Sequence, residues 1–359
     1  MIMSKGVSVI VCCYNSALRL PETIRHIVQQ ETPAEIDWEV VIVNNSSTDN
    51  TLSVARAEWG KHLCSASFKM VDQPVPGLSA AREKGMEVSR FDYVVFCDDD
   101  NWLDKNYISN AFYTMESHTD AGIAAGQSAG YFEVPKPFWF DSFAQSYVVE
   151  KVLPASGYLP PCREYLAGAG MVVRRDLIND MKAVEFKSIL TDRIGTNLMS
   201  GGDYELCLVA QYLGYRIYYD ERLTFVHFMP KDRLTWNYFI RMTSQGQAIP
   251  DLIHDLYRAG HKAEISKIRQ PFCKLYLKLL KDYINALFYC EHKGKRSLRF
   301  FFLHLNLFFR MAPGSLLQKN YLSSRNKIIF LIKNRRLLNR HYISIQELFG
   351  RISRAKQNP

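Results

Sequence analysis

No stretch of this 359-residue chain reaches the roughly 18 apolar residues that a membrane-spanning helix needs. The nearest candidate, FFFLHLNLFF at 300–309, falls well short. The start lacks the make-up of a secretion signal: VSVIVCC is brief, follows a single Lys5 and turns polar at Tyr14-Asn15. None of the eight cysteines has a C-x-x-C spacing, and several sit in apolar runs. They read as reduced packing residues, which places the chain in the cytoplasm. The histidines form no ligand-spaced cluster, which argues against zinc chemistry. Neither a G-x-S-x-G elbow nor a P-loop is present.

Charge of one sign is scarce in each part of the chain. Residues 1–230 carry 20 Lys+Arg against 29 Asp+Glu, whereas residues 231–359 carry 25 against 7. A mildly acidic body is thus joined to a strongly basic tail, a combination that suits a polyanion such as an anionic membrane surface. The expected division is a larger domain over 1–230 and a basic, aromatic, helical region over 231–359. In the tail, SLRFFFLHLNLFFRMAPGSLL alternates large apolar groups with Arg299 and Arg310. Residues 295–340 therefore read either as a peripheral anchor on the inner face of the membrane or as a helical hairpin packed on protein. No nucleic acid is expected, and the oligomeric state is left open.

Within the body, VSVIVCCYN (7–15), WEVVIVNN (38–45) and DYVVFCDDD (92–100) are continuous apolar runs with polar ends. Each reads as a strand buried on both faces. Helical spacing fills the intervals, in ALRLPETIRHIVQQ, TLSVARAEWG and PGLSAAREKGMEVS. This alternation predicts an α/β fold, with a mostly parallel, Rossmann-like sheet flanked by helices. Such sheets bind ligands beyond the carboxyl ends of their strands. Three polar clusters lie at those ends: Tyr14-Asn15, Asn44-Asn45 and Asp98-Asp99-Asp100. Further strand-like pieces are GYFEVP, GAGMVVRRDL and YRIYYDERLTFVHF.

Three adjacent carboxylates after a buried run call for an explanation. At an effective dielectric of about 20, two such charges roughly 4 Å apart repel by about 4 kcal/mol. A solvated helix cap is one answer. A calcium loop is a poor one, since NWLDKNY supplies neither its glycine nor its distal Glu. A Mg²⁺ or Mn²⁺ ion shared with substrate phosphates explains the cluster best.

Five segments then resemble, in order, the family 2 glycosyltransferases of the GT-A fold, inverting enzymes of the capsule and O-antigen type. They are VSVIVCCYN, VIVNNSSTDNT, PGLSAAREKG, FCDDDNWLDKNYI and GGDYELCLVAQYLGYRI, spanning about 7–230. The resemblance implies a nucleoside diphosphate sugar as donor, a UDP-sugar first. It also implies a glycan or polyprenyl-linked acceptor hydroxyl, surface polysaccharide synthesis, and Mn²⁺ or Mg²⁺ as cofactor. Carried over by position, Tyr14, Asn15, Asn44, Asn45, Arg82, Asp98 and Asp99 fall on the nucleotide-sugar side. Asp100 and His227 fall on the metal, Gly168, Ala169 and Gly170 on the acceptor side, and Asp203 on the catalytic base, with Glu205 behind it.

The chain departs from the family pattern at three places. Asn44-Asn45 replace an acid, Glu83 replaces Asn, and Gly202 replaces the Glu before Asp203. Two rival readings compete: a sugar nucleotidyltransferase, whose Gly-rich opening loop is absent here, and a non-enzymatic polyanion or membrane binder driven by the tail. Tyr131, Phe132, Phe138, Trp139 and Phe140 suit sugar stacking and core packing equally.

Overall fold

The computed structural model describes residues 4–160, 163–190, 192–195, 198–242, 345 and 347–355. In chain order the elements are β1 (Ser4–Cys13), α1 (Leu20–Val28), β2 (Asp37–Asn44), α2 (Thr51–Trp59), β3 (Ser67–Asp72), α3 (Leu78–Val88) and β4 (Phe91–Asp98). There follow β5 (Asn101–Leu103), α4 (Tyr107–Ser117), β6 (Ala121–Phe132), β7 (Gly157–Tyr158), β8 (Val172–Arg174), α5 (Arg175–Ala183), α6 (Gly202–Leu213) and β9 (Arg216–Met229). Among the described residues the strands form one sheet in the order β3-β2-β1-β4-β8-β6-β9-β5, with β7 paired to β9.

The long runs are parallel: β1 lies between β2 and β4, β3 extends the sheet beside β2, and β6 runs parallel to β9. The shorter β8, β5 and β7 pair antiparallel. This is the α/β architecture expected from the alternating pattern. Val9, Ile10 and Val11 of β1, Val40 to Val43 of β2 and Val94 and Val95 of β4 are wholly buried, as strands covered on both faces require.

The sequence reading misses β3, the short β5 and β7, and most of β6, which meets GYFEVP only at 130–132. In β3 the burial alternates between exposed and half-buried positions, so Ser67–Asp72 offers no continuous apolar run. GAGMVVRRDL is also shorter as a strand than expected: only Val172–Arg174 pairs, and α5 begins at Arg175.

Helix α3 crosses β1 with almost no clearance. A Cβ on Gly85 would lie 2.3 Å from Ile10 Cγ2, so only glycine permits this approach. One turn earlier on the same buried stripe is Arg82, carried by that packing toward the strand ends. Gly85→Ala is expected to lower stability by about 1–3 kcal/mol through overpacking. Thermal unfolding checks it, at roughly 2–4 °C per kcal/mol for a large domain.

The chain divides into two compact units, Met1–Thr196 with Gly202–Thr235, and Asn197–Gly201 with Trp236–Pro359. The second unit contains α7 (Trp236–Arg241), and its residues 347–355 are helical, with Leu348 and Ile352 buried. The tail segment 295–340 lies outside the described residues. No helix among the described residues is long and apolar enough to cross a membrane.

Candidate active site

The three adjacent carboxylates at the end of β4 each have a separate arginine, drawn from three different elements. Asp98 faces Arg82 of α3, with Nη2 3.7 Å from Oδ1. Asp99 pairs with Arg19 at the head of α1, whose Nη2 donates to Oδ2 at 2.6 Å. Asp100 pairs with Arg233, in the turn after β9, at 3.0 Å. Opposite charges within such distances offset the mutual repulsion of the three acids.

Their surroundings differ. Asp99 is turned into α1: it also accepts from Ser16 Oγ, and its carbonyl accepts from Thr23 Oγ1 at 2.8 Å. Burial pushes its carboxyl up, with Arg19 opposing and Asp100 adding to the rise. Asp100 has a side chain only 3% exposed. Burial alone would raise its carboxyl, but Arg233 and His227 hold it well below the usual carboxylate range. Asp98, at 29% exposure, is the most open of the three side chains.

His227 reaches the same point because β9 pairs with β5 in register Asn101 to His227. Its Nδ1–H donates to the Tyr147 carbonyl at 2.9 Å, which aims Nε2 at Asp100 Oδ1, 3.5 Å away. Arg233 Nη1 lies 3.3 Å from the same Nε2. Among the described residues no group of three or more His, Cys, Asp or Glu side chains converges as a cation site. A ring nitrogen and a carboxylate oxygen this close are donor types that a divalent ion takes, but Arg233 already sits on both, so an ion bound there would have to displace its guanidinium.

Beyond β1 and β2 the loops are fastened to each other. Asn15, in the left-handed conformation at φ 50°, accepts from the Thr48 N–H at 2.8 Å. Asn45 is buried and spends both ends on the 73–77 turn, donating to Gln73 and Val75 carbonyls and accepting from the Gly77 N–H. Asn44 donates to Asp72 Oδ1 at 2.8 Å. Asp72, at the end of β3, thus places a carboxylate beside the end of β2. Tyr14 is 43% exposed.

Asp203 lies in the first turn of α6. Its Oδ2 accepts from the Gly168 N–H and its Oδ1 from the Tyr204 N–H, both at 2.9 Å. Gly168 makes way for Arg82, whose Nη1 would lie 2.7 Å from an added Cβ. Gly170 instead opens toward Tyr107 and Phe225 in the core, and Ala169 is buried. Glu205 is committed to the 188–190 segment, accepting from the Ser188 side-chain hydroxyl and the Ile189 N–H. Of the aromatic stretch, Trp139 and Phe140 are buried, whereas Tyr131 and Phe138 are exposed.

Arg82 sits among these groups. It is 8% exposed, lies 5.0 Å over the Phe96 ring and has a buried Nε with no partner. Asp98, Asp192 and Asp203 all raise its pKa against the effect of burial. Asp192, unmarked by any sequence motif, has Oδ2 4.0 Å from Arg82 Nη1.

Residues 8–180 match the family described as Glycosyl transferase family 2. Among curated proteins the chain resembles putative glycosyltransferase EpsH of Bacillus subtilis, 30% identical over 142 residues, covering 40% of this chain and 39% of that protein. It also resembles glycosyltransferase GlyA of Streptococcus pneumoniae, 31% identical over 154 residues, covering 42% and 21%. The match thus spans well under half the length of either relative. Among solved structures, S. aureus TarS 1–349 in complex with UDP-GlcNAc superposes with a TM-score of 0.53 at 16% identity, covering 98% of this chain and 91% of that one. The shared architecture is the GT-A fold.

Proposed function

Because residues 8–180 belong to glycosyl transferase family 2, we propose that the protein moves a sugar from a UDP-sugar to a hydroxyl of a glycan or lipid-linked acceptor. The process served is surface polysaccharide synthesis, with inversion at the anomeric carbon. One observation carries the reading. A buried arginine without a hydrogen bond at Nε stands between the open carboxylate Asp98 and the carboxylate Asp203, at the carboxyl end of a parallel sheet.

The roles follow from the chemistry. Asn44 and Asp72 face the base, the carboxylate oxygen accepting an imide N–H. Asp98 accepts from a ribose hydroxyl. Arg82 offers its planar fork to the diphosphate. Asp203 takes the proton of the acceptor hydroxyl as the new bond forms. Asp100 and His227 would hold a Mn²⁺ or Mg²⁺ ion, which would supply Lewis-acid stabilisation to the leaving diphosphate. Cys12, close to Arg82 and Asp98, is no competing nucleophile, since burial pushes its thiol up to about 12. A single displacement inverts the sugar. The UDP-GlcNAc complex of TarS supports uridine as the base.

Thermal shift with UDP, GDP and dTDP, each with and without Mn²⁺, tests this reading. UDP with Mn²⁺ is expected to give the largest rise, since ligand at 100 times its Kd adds about 2.7 kcal/mol. If no nucleotide shifts the melting temperature under either condition, the proposal fails.

A further inference from the structure

Asp192 is held where an unconstrained chain would not place it. Its φ is +54°, in the left-handed region that non-glycine residues seldom occupy. The loop is fastened from both sides: Ser79 Oγ donates to the Leu190 carbonyl at 2.8 Å, and the Leu190 N–H donates to Glu205 Oε2 at 3.3 Å. The result is a carboxylate 4% exposed, whose Oδ1 accepts from the Gly202 N–H at 2.9 Å. Its Oδ2 lies 2.4 Å from the place a Cβ on residue 202 would take. Asp192 therefore fills the space that Gly202 leaves open beside Asp203.

The same Oδ2 lies 4.0 Å from Arg82 Nη1, and Asp98 Oδ1 lies 3.7 Å from Nη2. Both distances exceed a hydrogen bond, and Arg82 Nε has no hydrogen-bond partner among the described residues. The guanidinium is kept in place by charge on two sides and by the Phe96 ring, with neither carboxylate within hydrogen-bond range.

We infer that Asp192 is a positioning residue for the proposed transfer: it ties the first turn of α6, which carries Asp203, to the Arg82 guanidinium. The inference deepens the reading of this site as a glycosyltransferase centre and rests on it. Through this tie, the group that takes the acceptor proton and the cation that meets the leaving diphosphate share one frame.

The charged groups facing Asp192 are Arg82 from α3, Asp203 from α6 and Arg193 from its own loop. Burial pushes the Asp192 carboxyl up to about 6, Arg82 opposing and Asp203 adding to the rise. Ionised Asp192 is the form that holds Arg82, so activity rises as the pH climbs through that value.

The test uses Asp192→Asn and the double variant Asp192→Ala/Gly202→Asp, which moves the carboxylate to the neighbouring backbone position. Asp192→Asn is expected to lower kcat about ten- to hundredfold, the range carried by outer partners of a reacting group. It should also remove the inflection near pH 6 from the kcat profile. The double variant should regain at least a third of the wild-type kcat. Melting temperature at pH 8, compared with wild type, shows whether lost activity reflects lost folding. Wild-type kcat and an unchanged pH profile in Asp192→Asn overturn the inference, as does a folded double variant no more active than Asp192→Ala. A wild-type protein that neither binds UDP nor transfers sugar overturns the glycosyltransferase reading instead, so the two failures are distinct.

Discussion

Asp203→Asn is expected to lower kcat about 10³-fold while leaving UDP affinity close to that of the wild type. General-base assistance contributes about 10²–10⁴ in rate, and a thousandfold loss corresponds to about 4 kcal/mol of barrier. The carboxylate already accepts from two backbone donors, Gly168 and Tyr204. Asn offers one acceptor oxygen, so its NH₂ must face one of those N–H groups. That mismatch adds about 1–3 kcal/mol of structural cost, and a melting curve must accompany the kinetics. Calorimetric titration with UDP separates the two effects, since the proposed nucleotide site lies at the ends of β1, β2 and β4 rather than on α6. A variant that retains a tenth or more of wild-type kcat would remove Asp203 from the role of base.

Much of this architecture is legible in the sequence because burial on both faces writes itself as unbroken apolar runs. β1, β2 and β4 announce themselves that way, and their polar ends mark the carboxyl edge of the sheet. β3 leaves no such trace because one of its faces is open. With it goes Asp72, the acid that Asn44 meets. The sequence reading assigns the compensation of the aspartate triplet to a divalent ion, whereas the structure sets an arginine against each acid, and the sequence offers no means of assigning Arg19, Arg82 and Arg233 one to each. Those partners lie 80, 16 and 133 positions away along the chain and converge only through sheet order.

Asp192 is the clearest case of a group that sequence patterns cannot mark. It belongs to no helix or strand, and its meaning depends on a side chain that Gly202 lacks. The signal was present in negative form, as the missing acid before Asp203. Only the folded position of Asp192 shows where a carboxylate went instead. Small residues near the site divide the same way: Gly168 clears Arg82, while Gly170 serves Tyr107 and Phe225, and the two look alike in GAG.

Asp100→Asn is expected both to destabilise the fold and to abolish the Mn²⁺ dependence of UDP binding. The first effect is electrostatic. Asp100 is buried against Arg233 and His227, and its folded carboxyl lies below the ordinary value. A depressed carboxyl contributes its stability wherever the unfolded chain would also be ionised, which includes neutral pH. Removing one partner of such a buried pair costs about 3–5 kcal/mol, because the other charge is stranded. In a large domain that is a fall of roughly 10 °C in melting temperature. The second effect is chemical: Asn is a weaker donor to a hard cation, and transfer should fall about 10³-fold. The double variant Asp100→Asn/Arg233→Gln separates them. Without the stranded guanidinium, most of the lost stability should return, while Mn²⁺-dependent binding stays absent. If that stable double variant still binds UDP more tightly with Mn²⁺ than without, the ion is held elsewhere, and the pairing of Asp100 with Arg233 is a structural clamp between β4 and the turn after β9.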